Sequence, residues 1–288
     1  MKELSGKYRI TEMAIYLKVS REGYYRWLKR DDRTKEAKES LLKSKILKIF
    51  NETRKSYGAV RVSNSLKESG ENCGKVLTGR LMKELQLRPT AKKKFKSTTD
   101  SEHDMPVAEN ILNRDFYAEK PDTKWVGDIT YIWTREGWLY LAVIIDLFSR
   151  KVVGWSMNER ISRRLAIDAW KMAVKRRKPA NGILFHSDRG SQYCSKDFIN
   201  EIGKIKTVQS MSRKGNCWDN AVAESFFHTL KVERLHSLVF LTRESAKNCI
   251  FEYIELFYNR KRQHSYLKYL SPEGFEKCYL SKELKNVA

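Results

Sequence analysis

The sequence predicts an α/β protein, with a mixed five-stranded sheet and flanking helices preceded by an all-α basic region. Three observations predict it. Apolar residues recur at helical spacing through the first 88 residues and at two-residue spacing from Trp125 onward. The segments after Trp125 run in the order β-β-β-α-β-α-β-α. The charge is uneven: residues 1–100 hold 26 Lys and Arg against 12 Asp and Glu, a balance of +14, and the remaining 188 hold 31 against 23, or +8.

The elements follow in order. Residues 10–30 (ITEMAIYLKVSREGYYRWLKR) predict two short helices around a turn, with Ile10, Met13, Ala14 and Leu17 on one stripe and Ser20 capping the second helix. This fits a small helix-turn-helix, although an ordinary helical hairpin has the same shape. Residues 40–88 repeat the theme. SLLKSKILKIFNE carries Leu42, Ile46 and Ile49 on one side, and YGAVRVSNSLKESG stops at Gly70. NCGKVLTGRLMKELQL backs Leu77, Leu81 and Leu85 against a front of Lys75, Gly79 and Lys83, flanked by Thr78 and Arg80. Such a front suits a DNA groove, and Lys75, Arg80 and Lys83 are candidate DNA contacts. A solvated helix face reads the same way. Residues 91–121 predict a basic, polar linker with the run Lys92–Lys96, which can track phosphates.

KWVGDITYIWT (124–134) alternates, placing Val126, Asp128, Thr130 and Ile132 on one face of the first strand. WLYLAVIIDLF and VVGWSM follow after short turns, which predicts antiparallel neighbours. Ser162 is expected to cap a helix that turns Leu165, Ala169, Met172 and Ala173 inward. ILFHSD is a fourth strand, a short helix spans residues 195–202, and IKTVQSM is a fifth strand. The loop SRKGNC leads into a long helix from Trp218. This order is that of an RNase H-like domain. The expected divisions are a small helix-turn-helix at 1–35, a helical DNA-binding region at 36–90, the linker at 91–121, and a catalytic domain with a C-terminal helical extension at 122–288.

Composition narrows the chemistry. The net charge of +22 points to a polyanionic partner, with nucleic acid first. No apolar run is long enough for a membrane span, and the first residues lack a signal-peptide pattern, so a cytoplasmic protein is expected. Five scattered cysteines, none in a CxxC pair, argue against both a disulfide framework and a zinc module.

Three acids stand out: Asp128 within the first strand, Asp188 just past the fourth, and Glu224 on the last helix. In this topology the first and fourth strands are neighbours, so Asp128 and Asp188 can meet and the helix can bring Glu224 beside them. Three close carboxylates repel unless a cation neutralises them. All-oxygen ligation favours Mg²⁺ or Mn²⁺, and two such ions can activate an attacking oxygen and stabilise a leaving one. Any one acid alone reads as a cap or a solvated charge. Asp146 follows a buried strand and suits a turn. The spacing is more specific: 35 residues separate Asp188 from Glu224, which resembles the D,D(35)E signature of transposases and integrases.

The words WVGDITYI (125–132), YLAVIIDLFSRKVVGWSM (140–157), HSDRGSQYCS (186–195), SMSRKGNCWDNAVAESFFHTLKVE (210–233) and YNRKRQHSYLKYLSPEGF (258–275) resemble the OrfB-type proteins of IS-three-family insertion-sequence transposases, within the DDE integrase/transposase superfamily. The resemblance covers nearly the whole chain. It implies a metal-dependent polynucleotidyl transferase that cleaves and joins DNA at insertion-sequence ends. Asp128, Asp188 and Glu224 match the metal-binding catalytic triad. Lys231, seven residues after Glu224, matches a basic residue of that family and is expected to meet a phosphate. Asn220 suits either support of the acids or helix capping. His186 and Ser187 either orient Asp188, contact DNA, or pack at the strand end. Arg213 and Lys214, in a loop with no large apolar anchor, are expected to order on DNA.

The implied cofactor is Mg²⁺ or Mn²⁺, as two ions, with no zinc. The implied partners are double-stranded transposon ends and target DNA, further copies of the chain, and the upstream-frame OrfA product or a fusion with it. Two other classes remain as rivals. A DNA-binding regulator gains nothing from clustered acids, and a nuclease that cuts without joining does not need DNA-reading helices.

Overall fold

The computed structural model describes residues 1–29, 32–90 and 106–287. The first helical pair is α1 (Ile10–Tyr16) and α2 (Arg21–Leu28). The Ser20 Oγ accepts from the Gly23 N–H at 2.8 Å, satisfying one donor that a helix start otherwise leaves open. Met13, Ala14 and Tyr24 are buried, whereas Leu17, Tyr25, Trp27 and Leu28 are exposed. The apolar stripe is therefore only partly used.

Helix α3 (Asp32–Glu52) runs unbroken across the division expected between residues 35 and 36. With α4 (Ala59–Glu68) and α5 (Lys75–Glu84) it encloses Ile46, Phe50, Val62, Leu66 and Leu81. Gly70 ends α4 at φ +85°, a conformation that costs glycine nothing. The expected front of α5 is divided. Thr78 is fully buried, and a Cβ on Gly79 would stand 3.6 Å from that of Ala59. That part of α5 packs on α4, while Lys75, Arg80 and Lys83 are exposed.

The run Lys92–Lys96 lies outside the described residues. Residues 106–121 lack regular secondary structure, yet they do not behave as a free connector. Leu112 and Ala118 are buried, and the Leu112 N–H donates to Ser210 Oγ at 3.0 Å.

The sheet contains β1 (Lys124–Thr134), β2 (Gly137–Asp146), β3 (Val152–Asn158), β4 (Leu184–Ser187) and β5 (Val208–Met211), in the order β3-β2-β1-β4-β5. The first three pair antiparallel, and β4 joins β1 and β5 in parallel. Helix α6 (Arg163–Arg177) lies against β3 so closely that a Cβ on Gly154 would stand 2.3 Å from the Ala169 carbonyl oxygen. Only glycine permits that approach. Ser162 occupies the cap position of α6, but its hydroxyl makes no capping bond. The buried face of α6 includes Trp170 rather than Met172, and Trp170 packs edge-on to Trp125 at 5.4 Å between ring centres. Met172 is only half-buried.

Two further helices, α7 (Ser191–Cys194) and α8 (Lys196–Gly203), follow β4. The expected long helix after β5 comes in three parts: a 3₁₀ turn (Cys217–Asn220), α9 (Ala221–Leu230) and a π-helical turn (Lys231–Leu235). Helix α10 (Arg243–Phe251) and α11 (Pro272–Val287) complete the chain. One apolar cluster joins the α3–α5 core to the sheet face that carries α9 and α10. The opposite face packs α6 and α8. No helix among the described residues is long and apolar enough to cross a membrane.

Candidate active site

Strand register brings the first two acids together. Val126 stands opposite His186 in the parallel β1–β4 pair. Continuing that register by two residues sets Asp128 across from Asp188, at the point where β4 ends. The Asp128 Oδ1 accepts from the Ile129 N–H at 2.8 Å, and the Asp188 Oδ1 from the Gly190 N–H at 3.0 Å. A Cβ on Gly127 would collide with the Phe185 ring at 2.6 Å, so glycine there lets β1 close on β4 beside the acids.

Helix α9 supplies the third acid. Burial, and then the neighbouring Asp188, push the Glu224 carboxyl up. Burial pushes Asp128 well above its ordinary value, with Asp188 and Glu224 adding to the effect and the Lys231 cation opposing it. Among the described residues, no three His, Cys, Asp or Glu side chains close into a ready-made metal cage. The acids are within electrostatic reach of one another. A set of three carboxylates, partly desolvated and mutually repelling, fits a hard divalent cation with oxygen ligation.

Asn220 stands at the N-cap position of α9 without capping it. Its Nδ2 instead donates to the Gly127 carbonyl oxygen at 3.2 Å, tying the start of α9 to β1 next to Asp128. His186 is fully buried between Ser210 Oγ at 2.8 Å and Ser212 Oγ at 3.1 Å. Burial lowers its pKa to about 4. It is a packed strand-end residue with both ring nitrogens engaged by serine hydroxyls. Ser187 donates to the carbonyl of Asp188 at 2.9 Å. Lys231 lies over the Tyr131 ring, 5.1 Å from its centre, with its pKa lowered by burial. Asp146 is buried and accepts from the N–H groups of Phe148 and Asp122. This turn role keeps it out of the acidic set.

The loop Ser212–Cys217 differs from expectation. It has a polar anchor rather than an apolar one. The Asp219 side chain is fully buried and accepts from Arg213 Nε and Nη2, the Arg213 N–H, Arg114 Nε and Asn110 Nδ2 at 2.8–3.0 Å. These partners, Arg213 first, hold its carboxyl far below the usual range. Arg213 is thus engaged, while Lys214 is exposed. Arg80 is likewise engaged, with Glu39 at 2.7 Å and Glu84 at 3.1 Å. Lys75 and Lys83 remain at the surface of α5.

Sequence reasoning also missed two features. One is the Tyr193 hydroxyl, buried with no hydrogen-bond partner and under the influence of both Asp128 and Asp188. The other is a buried ion pair just beyond Lys231. The Glu233 carboxylate receives Arg262 Nε and Nη2 at 2.8–3.1 Å and the Tyr253 hydroxyl at 2.8 Å, with Arg61 of α4 at 3.7 Å. The Tyr57 hydroxyl, near the start of α4, accepts from the Gln263 N–H at 2.7 Å. The stretch around residue 262 therefore fastens both the Glu224 helix and the helical region. The word YNRKRQHSYLKYL carried the signal, but its partners lie 29 and more residues away in the chain.

Residues 118–217 match the integrase core domain family, 224–280 match a second integrase core domain family, and 36–95 match an HTH-like domain. Transposase InsF for insertion sequence IS3A of Escherichia coli (strain K12) is 44% identical over 273 residues, covering 94% of this chain and 95% of that protein. The insertion element IS600 uncharacterized 31 kDa protein of Shigella sonnei is 45% identical over 263 residues, covering 91% and 96%. Among solved structures, the HTLV-2 integrase catalytic core domain in complex with magnesium aligns at 16% identity and TM-score 0.44, covering 56% of this chain and 99% of that one.

Proposed function

Because the chain belongs to the IS-three family of insertion-sequence transposases and carries an integrase core, we propose that Asp128, Asp188 and Glu224 are the groups with which it cuts and joins DNA at insertion-sequence ends. The observation that supports the assignment is the parallel β1–β4 pairing, which runs to Val126 and His186 and so toward Asp128 and Asp188, with Asp188 raising the pKa of both Asp128 and Glu224. The three carboxylates would hold Mg²⁺ or Mn²⁺, as a pair of ions. Bound there, the ions would activate the attacking oxygen and stabilise the leaving one.

The protein's own groups do the rest. Gly190 and Ile129 fix the carboxylates through backbone N–H donors. Asn220 fixes where α9 begins relative to β1. Lys231, held on Tyr131 beside Asp128, takes a phosphate of the DNA. Lys75 and Lys83 on α5 and Lys214 on the loop add phosphate contacts. Arg80 and Arg213 join them only by exchanging their carboxylate partners for phosphate. The divisions are the helical pair at 1–35, the helical DNA-binding region at 36–90, the linker at 91–121 and the catalytic part at 122–288. The protein acts in the cytoplasm as several copies on DNA, together with the OrfA product of its element.

Oligonucleotides carrying the element's ends, incubated with Mg²⁺, test the reading. Joined product is expected. Hydrolysis without joining would point to a nuclease, and binding with no metal-dependent chemistry would point to a regulator.

A further inference from the structure

The hairpin that carries Asp128 continues past the acids as an edge. Strand β4 ends at Ser187, so among the described residues no strand pairs with β1 on that side beyond Asp128. On this stretch three large rings crowd together at the surface. Tyr131, Trp133 and Trp138 are 43%, 59% and 42% exposed. Trp138 meets Tyr131 at 5.0 Å and Trp133 at 4.8 Å between ring centres, edge-on in both cases. Cross-strand pairing of Trp133 with Trp138 stiffens a hairpin, but it does not require that so much ring surface face solvent.

The platform is rigid. Arg243 Nε donates to the Trp138 carbonyl at 3.1 Å, the Arg243 N–H to Glu136 at 2.7 Å, and the Arg135 N–H to the Phe240 carbonyl at 3.0 Å. Tyr131 and Trp133 alternate with Asp128 along β1 and so stand on the other side of the sheet; the link to the acids is Lys231, which lies over Tyr131 at the strand's open edge while its charge bears on Asp128.

We propose that Tyr131, Trp133 and Trp138 form a stacking platform for unpaired nucleobases of the DNA end, on the strand that carries Asp128 and joined to the acids by Lys231. The proposal rests on the reading of the chain as a DNA-joining enzyme. Exposed rings on a fixed backbone beside a cation are what single-stranded nucleic acid binds: the base stacks and the phosphate meets the charge. The occupant follows from that charge and from its link to the acids. A purely apolar protein partner would have no use for Lys231 at the platform's inner edge. Stacking there would hold terminal bases out of the duplex and leave the adjoining phosphate at Lys231.

The test uses the full-length protein and three fluorescein-labelled DNAs of one sequence: a fully paired duplex, the same duplex with mismatched terminal pairs, and the single strand. Trp133→Ala is expected to weaken binding of the single strand and the mismatched duplex about tenfold, while leaving the paired duplex within about twofold. Trp133→Phe, which keeps a ring, should retain most of the difference. In the unsubstituted protein, 2-aminopurine at a mismatched terminal position should lose fluorescence on binding, a readout that does not depend on how any variant folds. Equal weakening across all three DNAs would overturn the platform, as would unchanged 2-aminopurine emission. A loss of self-association in sedimentation, with DNA binding unaltered, would assign the surface to a second copy instead. Failure of the unsubstituted protein to bind the paired duplex at all would count against the transposase reading itself.

Discussion

The Glu224 helix is fixed at both ends by a carboxylate held by arginine, but the two ends are built differently. At its start, Asp219 is gripped by Arg213 and Arg114, whose side chains are 49% and 45% exposed. At its finish, Glu233 is gripped by Arg262, and both are almost wholly buried. An arginine at the surface can exchange a carboxylate for a phosphate with little desolvation cost. A buried one cannot, because breaking the pair strands a charge away from water. On the proposed reading the first clamp is the end that DNA would adjust, and the second is a fixed joint that also ties in α4 through Arg61.

Substitutions at the two ends should separate accordingly. Glu233→Ala leaves Arg262 buried without its carboxylate and is expected to cost about 3–5 kcal/mol of stability, read as a lower urea midpoint. An unchanged midpoint would mean the joint is not structural. Asp219→Asn should cost less, about 1–3 kcal/mol, because the freed arginines can reach water. It should also raise hydrogen exchange across residues 211–220. Protection equal to the wild type would remove the clamp from the account.

The fixed joint also has a pH signature. His264 accepts a hydrogen bond at 3.1 Å from the Arg262 guanidinium, and burial, with Arg262 next, lowers its pKa to about 2. A histidine whose pKa falls on folding contributes stability above its unfolded value of about 6.5 and loses it as pH falls toward the folded value. The wild type should therefore lose up to about 2 kcal/mol relative to His264→Gln between pH 7.5 and 5. A constant difference between the two proteins would contradict a neutral, buried His264. The smallest stability effect is expected on α5. Lys75→Ala and Lys83→Ala should change stability by less than about 0.5 kcal/mol while weakening DNA binding and reducing its salt dependence.

Much of the fold was legible because it rests on local pattern. Alternation in KWVGDITYIWT gave β1, short turns gave the antiparallel β1–β2–β3, and Gly70 marked the end of α4. The adjacency of β1 and β4, which carry the strand ends next to Asp128 and Asp188, followed from the strand order. What the sequence hid depends on distant polar partners. Nothing near Asp219 announces Arg114 or Asn110, so its loop read as unanchored. Leu112 and Ala118 sit among linker-like residues, and only the assembled sheet shows that they are core. For Arg80 the neighbour Glu84, one turn on, was legible, but Glu39, 41 residues away, was not. Met172 suits the stripe of Leu165 and Ala169, but the buried face of α6 is rotated toward Ala166, Trp170 and Ala173, a rotation that only packing on β3 sets.

The central claim is that Asp128, Asp188 and Glu224 act together on the DNA. Strand transfer of end oligonucleotides by Asp128→Asn, Asp188→Asn and Glu224→Gln, with Mg²⁺ and with end binding measured in parallel, tests it most directly. Each variant is expected to bind ends nearly as well as the wild type, since affinity comes from basic residues elsewhere, and to yield no joined product. Full strand transfer by any one of the three would contradict the assignment.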